Sequence, residues 1–173
     1  PATEQVGSDF VFRGPQVRRL SAEQFRDAVG ALTGVWYDHP ATQFLRADGS
    51  TNQFARTRAA LVGADTLQVA LGRPNREQVL TSRASAATTL QALELTNGAE
   101  LAEVLAKGAE KLIAAPALAK DVVTQLYAKA LGRKPTRAEA QLAASLVAQP
   151  VQKTGVEDLL WGLTMMPEFQ LIY

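Results

Sequence analysis

Three arginines within residues 73–83 are the side chains of this sequence best suited to binding an anion. They precede a helix that we predict to begin at Thr88–Thr89, where backbone N–H groups have no partners inside the helix. Guanidinium groups donate paired hydrogen bonds to carboxylates and phosphates. Hydroxyl donors are available from Ser82 and Ser85. The predicted ligand-binding residues are therefore Arg73, Arg76, Arg83, Thr88, Thr89 and Gln91.

A structural interpretation of the same residues competes with the anion site. The arginines would then pair with Glu77, Glu94 and loop carbonyls, because cations at helix ends are common. Thr88 and Gln91 have the spacing of a capping box, in which each side chain accepts a hydrogen bond from the backbone N–H of the other residue. The sequence contains no glycine-rich phosphate cradle and no dinucleotide-binding fingerprint. We favour the structural interpretation and keep the anion site as the alternative.

Several classes of catalytic site are excluded by residues that the sequence lacks. It has no cysteine, which rules out disulfides, thiolate metal sites, a cysteine nucleophile and covalent attachment of c-type haem. Because His39 is the single histidine, most catalytic triads and multi-histidine metal sites are excluded as well. The spacing of Asp38, His39 and Asp48 matches no metal-binding loop, so we predict no metal site. We also expect the isolated domain to have no catalytic activity.

The size and charge of the chain describe one globular domain. A chain of 173 residues is long enough to bury a core, and 18 basic against 17 acidic residues give a net charge of +1. Such a balance provides no field that attracts a polyanion, so we expect no nucleic-acid partner. No apolar run reaches the ~18–20 residues of a membrane span. Because the sequence starts at Pro1 without an initiator Met or a signal peptide, we expect a piece of a longer protein.

Repeated start and stop signals predict a helical protein. A Ser or Thr stands three residues before a Gln or Glu at Ser21, Thr88, Thr136 and Thr154. Glycine, which suits the positive φ of the residue after a helix, ends apolar-periodic segments at Gly34, Gly72, Gly98 and Gly132. The predicted helices span about 21–33, 57–71, 76–82, 88–97, 99–114, 117–131, 137–148 and 155–165. Short connections between them predict an all-α fold, a compact bundle of about six to eight crossed helices.

Two segments and one repeated motif differ from this helical pattern. Residues 1–19 are predicted to form an arm, and residues 34–56 an aromatic-rich loop or a short hairpin turning at Asp48–Gly49. The motif Ala-Leu-Gly-Arg occurs at residues 70–73 and again at 130–133, each time before a proline and a helix start. We interpret the repetition as two uses of one connector, with duplication of a helix pair as the alternative. For the apolar residues 165–173, packing in the core and an interface with another domain are both open.

Most of the chain resembles a C-terminal domain of unknown function found in planctomycete-type, cytochrome-c-associated multidomain proteins. The resemblance rests on LGRPNREQVLTSR and TTLQALELTNG in the centre, FRGPQVRRLSAEQFRDAV near the start, LYAKALGRKPTRAE further on and EDLLWGLTMMPEFQ at the end. One departure is Thr164-Met165-Met166, which replaces the Asn-Ser expected before Pro-Glu-Phe. No polar site is therefore carried over to that position, and the family supplies no catalytic residues.

The resemblance implies an exported, extracytoplasmic protein with partner domains upstream, often including a haem-binding c-type module. Since this chain has no CxxCH motif, we expect no cofactor in it and assign any haem to a neighbouring domain of the parent protein. We therefore expect a non-catalytic interaction module that docks other domains or an extracellular ligand, such as a glycan or an acidic group. The alternative is part of a redox-linked or polysaccharide-acting enzyme, with the arginine cluster as its anion-binding site.

Overall fold

The computed structural model describes residue 14 and the ranges 17–37, 43–45, 51–53, 57–74, 88–114 and 116–172. The helices within these ranges are α1 (Ala22–Thr33), α2 (Thr66–Ala70), α3 (Thr89–Asn97), α4 (Ala99–Ile113), α5 (Ala119–Leu131), α6 (Arg137–Val147), α7 (Lys153–Met165) and α8 (Pro167–Gln170), with a 3-10 helix at Ala59–Leu61. The strands are β1 (Arg18–Arg19), β2 (Gln43–Leu45), β3 (Thr51–Gln53) and β4 (Leu171–Ile172). The predicted all-α fold of crossed helices is confirmed, since these strands are only two or three residues long.

The core lies where α1, α4, α5 and α7 meet, and α6 packs against α5 and α7. Each of these helices buries one apolar stripe, as expected from a spacing of three and four residues. On α4 the buried stripe consists of Leu101, Val104, Leu105 and Ala109. The facing helices contribute side chains that are almost wholly buried, among them Val29, Val123, Leu126, Leu160 and Leu163. Burial of each large aliphatic side chain stabilises the fold by about 1.5–3 kcal/mol, so this contact region dominates folding.

Three of the four predicted capping boxes are present, at Ser21, Thr88 and Thr136. The fourth prediction is wrong, because α7 begins at Lys153 and Thr154 lies inside its first turn. Three contacts favour the earlier start. The Val156 N–H donates to the carbonyl of Gln152 at 3.1 Å, and the Lys153 ammonium pairs with Glu110 at 2.5 Å and with Glu157 at 3.6 Å.

Glycine ends two of the long helices as predicted, and a third glycine has a different role. Gly34 follows α1 with φ of 72°, and Gly132 follows α5 with φ of 67°. Gly72, just after α2, has φ of 87°. Gly98 follows α3 as predicted but lacks the expected positive φ, since its φ is −67° and it also caps the start of α4. A Cβ at Gly98 would lie 3.1 Å from the carbonyl carbon of Glu94, so the backbone of Glu94 leaves no room for a side chain at this position.

The single helix predicted over residues 57–71 is wrong. The chain forms the 3-10 helix Ala59–Leu61 and then α2, with extended backbone at Val62 and Asp65 between them. Asp65 separates the two because its Oδ1 accepts a hydrogen bond from the Gln68 N–H at 2.7 Å, a helix-capping contact that Asp prefers to an interior position. The other predicted boundaries agree within about two residues, and the helix predicted at 76–82 lies outside the described residues.

The two ends of the described chain meet in one antiparallel ladder, in which Arg18 pairs with Ile172 and Arg19 with Leu171. Beside it, the rings of Phe25 and Phe169 pack edge to face at 5.9 Å, so the C-terminal apolar segment packs in the core.

Strands β2 and β3 pair antiparallel, which confirms the hairpin alternative for residues 34–56, whereas Asp48–Gly49 lie outside the described residues. Most of the predicted arm also lies outside them. Among the described residues, none of the helices has both the length and the apolar composition of a membrane span.

The packing of α6 on α7 depends on Gly155, which touches the backbone of α6 directly. A Cβ there would lie 2.9 Å from both the Leu146 carbonyl carbon and the Val147 Cα. Another glycine of α7, Gly162, has open space around the corresponding position. The two glycines therefore offer a matched pair of substitutions within one helix.

We expect Gly155→Ala to lower the free energy of unfolding by about 3 kcal/mol, because one helix backbone must move away from the other. Gly162→Ala should raise it by up to about 1 kcal/mol through helix propensity alone. Urea titrations followed by circular dichroism measure both values. Equal effects of the two substitutions would contradict the close approach of α6 and α7.

Candidate functional site

Arg73 is held in a buried position by protein acceptors. Its guanidinium donates to the carbonyls of Ala59 at 2.8 Å and Val62 at 2.7 Å, and to the side-chain oxygen of Gln68. Its Nε lies 3.7 Å from a carboxylate oxygen of Glu23 on α1, and the arginine side chain is only 9% exposed. These contacts match the structural interpretation of Arg73, which predicted bonds from the arginines to loop carbonyls.

The remaining predicted site residues are only partly described. The Gln91 N–H donates to the Thr88 hydroxyl at 3.2 Å, and the Thr88 N–H donates to the Gln91 side chain at 3.4 Å, so both side chains cap α3. Thr89, the first residue of α3, is exposed. Arg76 and Arg83 lie outside the described residues, as do Asp38, His39 and Asp48. The anion site therefore stays a prediction, one that now rests on Arg76 and Arg83.

A polar network surrounds Arg73 and was not predicted. The Tyr37 hydroxyl donates to Asp65, and the Gln68 amide donates to the same hydroxyl. The guanidinium of Arg26 lies 4.3 Å above the Tyr37 ring and donates to the Val35 carbonyl at 3.1 Å. Burial raises the pKa of Tyr37, and the Asp65 carboxylate raises it further. The phenol therefore stays protonated and fixes the segment after α1 to the start of α2.

The second Ala-Leu-Gly-Arg motif places its arginine in a similar way. Arg133 donates to both carboxylate oxygens of Glu139 at 2.9 and 2.8 Å, and to Glu168 at 3.0 Å. Its guanidinium carbon lies 5.6 Å from the centre of the Tyr127 ring. In both copies a glycine with positive φ turns the chain, and the next arginine binds neighbouring segments. This agreement supports the interpretation of one connector used twice.

A surface pocket of about 330 Å³ opens beside the C-terminal end of α1. The Thr33 hydroxyl donates to the Val29 carbonyl at 2.8 Å and accepts from the Val35 N–H at 3.1 Å, which turns the chain sharply after Gly34. This turn brings the half-buried indole of Trp36 back over Gly30, where a Cβ would lie 3.1 Å from the ring. Trp36 thus forms a fixed wall of the pocket.

Two lysines from different helices complete the pocket, Lys111 of α4 and Lys129 of α5. The Lys111 ammonium donates to the Gly34 carbonyl at 2.7 Å and so neutralises the end of α1. Within the described part of the chain, the Lys129 ammonium has neither a hydrogen-bond acceptor nor an ion-pair partner. Sequence reasoning missed both lysines, whose only local signal is a position near the end of a helix.

Exposed apolar side chains lie on α6 and just before α5. Leu142 is 73% exposed and Leu146 42% exposed, and they follow each other on α6 at a spacing of one turn. Leu118, which precedes α5, is 51% exposed. The N–H of the next residue, Ala119, donates to the Gln149 side chain at 3.0 Å, which places the start of α5 beside the end of α6. We call Leu118, Leu142 and Leu146 the leucine face.

Comparison with known families gives one match. The model of PSD1, described as a protein of unknown function (DUF1553), matches residues 3–147. The chain belongs to this family. The PSD1 match confirms the resemblance to a domain of unknown function and ends at the last residue of α6, although α7 completes the core. No curated protein and no solved structure matches the chain.

We expect Arg73→Lys to lower the free energy of unfolding by about 2 kcal/mol, because the single ammonium group of lysine cannot donate to all the acceptors that the guanidinium group binds. Arg133→Lys is the matched control. It should cost under about 1 kcal/mol, since the ion pairs of Arg133 are partly exposed. Chemical denaturation measures both variants. A loss at Arg133 as large as that at Arg73 would show that burial does not distinguish the two connectors.

Because of Glu139, the free energy of unfolding should vary with pH in the acid range. The hydrogen bonds from Arg133 and then from the Thr136 N–H lower its pKa from 4.5 to about 2. Because the folded-state pKa is the lower one, the carboxylate stabilises the fold fully above the unfolded-state pKa. That contribution is lost as the pH falls from about 4.5 through 2.

Glu139→Gln retains an acceptor for the capping box but removes the charge. We expect the variant to melt below the unsubstituted chain at pH 7 and to approach it near pH 2, where the glutamate itself is protonated. Melting temperatures measured across this range test the prediction. Curves that remain parallel down to pH 2 would contradict the assigned shift of the pKa.

Proposed function

We propose that the chain is a non-catalytic docking domain whose leucine face packs against a neighbouring domain of the same exported polypeptide. The exposure of Leu142 carries this proposal, because it is the most exposed of the large hydrophobic side chains in the described residues. Clustered exposed apolar side chains on a soluble domain commonly mark interaction surfaces. The leucine face is therefore the part of this domain best suited to exclude water against a partner.

The leucine face is not a by-product of core packing. Leu142 and Leu146 each precede a buried residue of α6, Ala143 and Val147, so they lie roughly 100° away around the helix. The inner stripe of α6 already fills its contact with α5 and α7. A stable interface buries about 800 Å² on each partner, and three clustered leucines could form the apolar centre of such a surface.

The proposed location and partner follow from the family resemblance. We propose an extracytoplasmic parent protein in which this PSD1 domain accompanies other domains, a c-type cytochrome module among them. The chain contains no cysteine for covalent haem attachment, so in this proposal the haem belongs entirely to the neighbouring module. The docking domain would then position its neighbour, without supplying reacting groups.

A photo-cross-linking amino acid at position 142 of the full-length parent protein tests this function. We expect cross-links from position 142 to a distinct segment of another domain. The matched control is position 61, because Leu61 is also more than half exposed but belongs to the 3-10 helix. Equal cross-linking from the two positions, or none from position 142, would overturn the docking function.

Leu142→Glu provides a second measurement in the same protein. The substitution should change the free energy of unfolding of this domain by no more than about 0.5 kcal/mol, because the side chain is exposed. It should increase hydrogen exchange of the partner segment that position 142 cross-links. Unchanged exchange in that segment would show that the leucine face does not bind it.

A further inference from the structure

We propose that the pocket beside Trp36 is a binding site for a small carboxylate carried on a six-membered ring. The pocket is formed by the C-terminal end of α1, Trp36, Lys111 and Leu112 of α4, and Lys129 of α5. None of the residues that line it belongs to the leucine face. The site therefore does not depend on the docking function.

The charge of the pocket favours a single negative group. Lys111 and Lys129 bring two positive charges, whereas each nearby helix end contributes roughly −0.5 charge. The ammonium groups therefore outweigh the ends of α1, α4 and α5. Because Lys111 already binds the Gly34 carbonyl, Lys129 is the cation left to bind a ligand. An ammonium group at a partly apolar site attracts a carboxylate without requiring the bidentate geometry of arginine.

The shape of the pocket favours a flat ring as the body of the ligand. Its volume of about 330 Å³ lies at the lower end of the 300–1,000 Å³ typical of ligand sites, which suits one ring better than a polymer. Trp36 supplies an aromatic wall, and Ala31 and Leu112 supply apolar surface. Indole surfaces pack well against flat ligands, through stacking with aromatic rings and through contacts with the apolar face of a sugar ring.

The walls of the pocket are rigid before any ligand binds. Trp36 packs on Gly30, and the side chain of Thr33 packs on Gly108 of α4, where a Cβ would lie 2.6 Å away. The two hydrogen bonds of the Thr33 hydroxyl fix the turn between these contacts. A preformed site loses less conformational entropy when it binds a ligand, which favours binding even of small molecules.

Tryptophan fluorescence gives a direct test, because the sequence contains only Trp36 and Trp161. In a Trp161→Phe background the emission reports on Trp36 alone. The probes are benzoate and glucuronate, which carry a carboxylate on an aromatic ring and on a sugar ring. Benzamide and glucose are their uncharged counterparts. We expect at least one of the two acids to change the emission saturably, and its uncharged counterpart to bind at least tenfold more weakly.

Lys129→Gln identifies the residue that binds the carboxylate, and Lys120→Gln on the same helix is the matched control. We expect Lys129→Gln to raise the dissociation constant about tenfold, equivalent to about 1.4 kcal/mol, and Lys120→Gln to leave it unchanged. Benzoate binding without glucuronate binding would assign an aromatic acid, and the reverse a sugar acid. No saturable change with either acid, or equal affinities in the two lysine variants, would overturn the proposal. Neither result depends on cross-linking at the leucine face.

Discussion

The buried guanidinium of Arg73 holds together the part of this protein that regular helices do not organise. It donates to the carbonyls of Ala59 and Val62, which lie at the two ends of the 3-10 helix, where the chain becomes extended. The ion pair with Glu23 attaches the same segment to α1. Without this side chain, the Val62 carbonyl would lose the donor that Arg73 provides, and the segment before α2 would lose its ion pair with α1.

The same network links Arg73 to the surroundings of the pocket. Gln68 connects Arg73 to the Tyr37 hydroxyl, and Tyr37 lies next to Trp36 in the segment that leaves α1. Arg26 holds this segment from the other side through the Val35 carbonyl. An arginine selected from the sequence as a ligand-binding residue thus contributes to the framework around a different candidate site.

The sequence predicted the helix ends that depend on residues close together in the chain. Capping boxes and positive-φ glycines involve residues three or four positions apart, so the limits of α1, α3, α5 and α6 could be predicted closely. The errors have both local and distant causes. Gly98 approaches Glu94, four residues earlier, without the positive φ that a glycine after a helix suggests. The start of α7 is favoured by a distant contact, that of Lys153 with Glu110 on α4. The pocket could not be predicted, because Trp36, Lys111 and Lys129 are adjacent only after three helices have packed.

The ladder between β1 and β4 has a mechanical consequence. Arg18 and Ile172 face each other, so a longer polypeptide continuing from both positions would enter and leave the domain at one point. Tension along such a polypeptide would first separate two short strands, one residue pair at a time. The helical core would carry no load until that ladder had opened. Weak forces would therefore leave the packing of the helices unchanged.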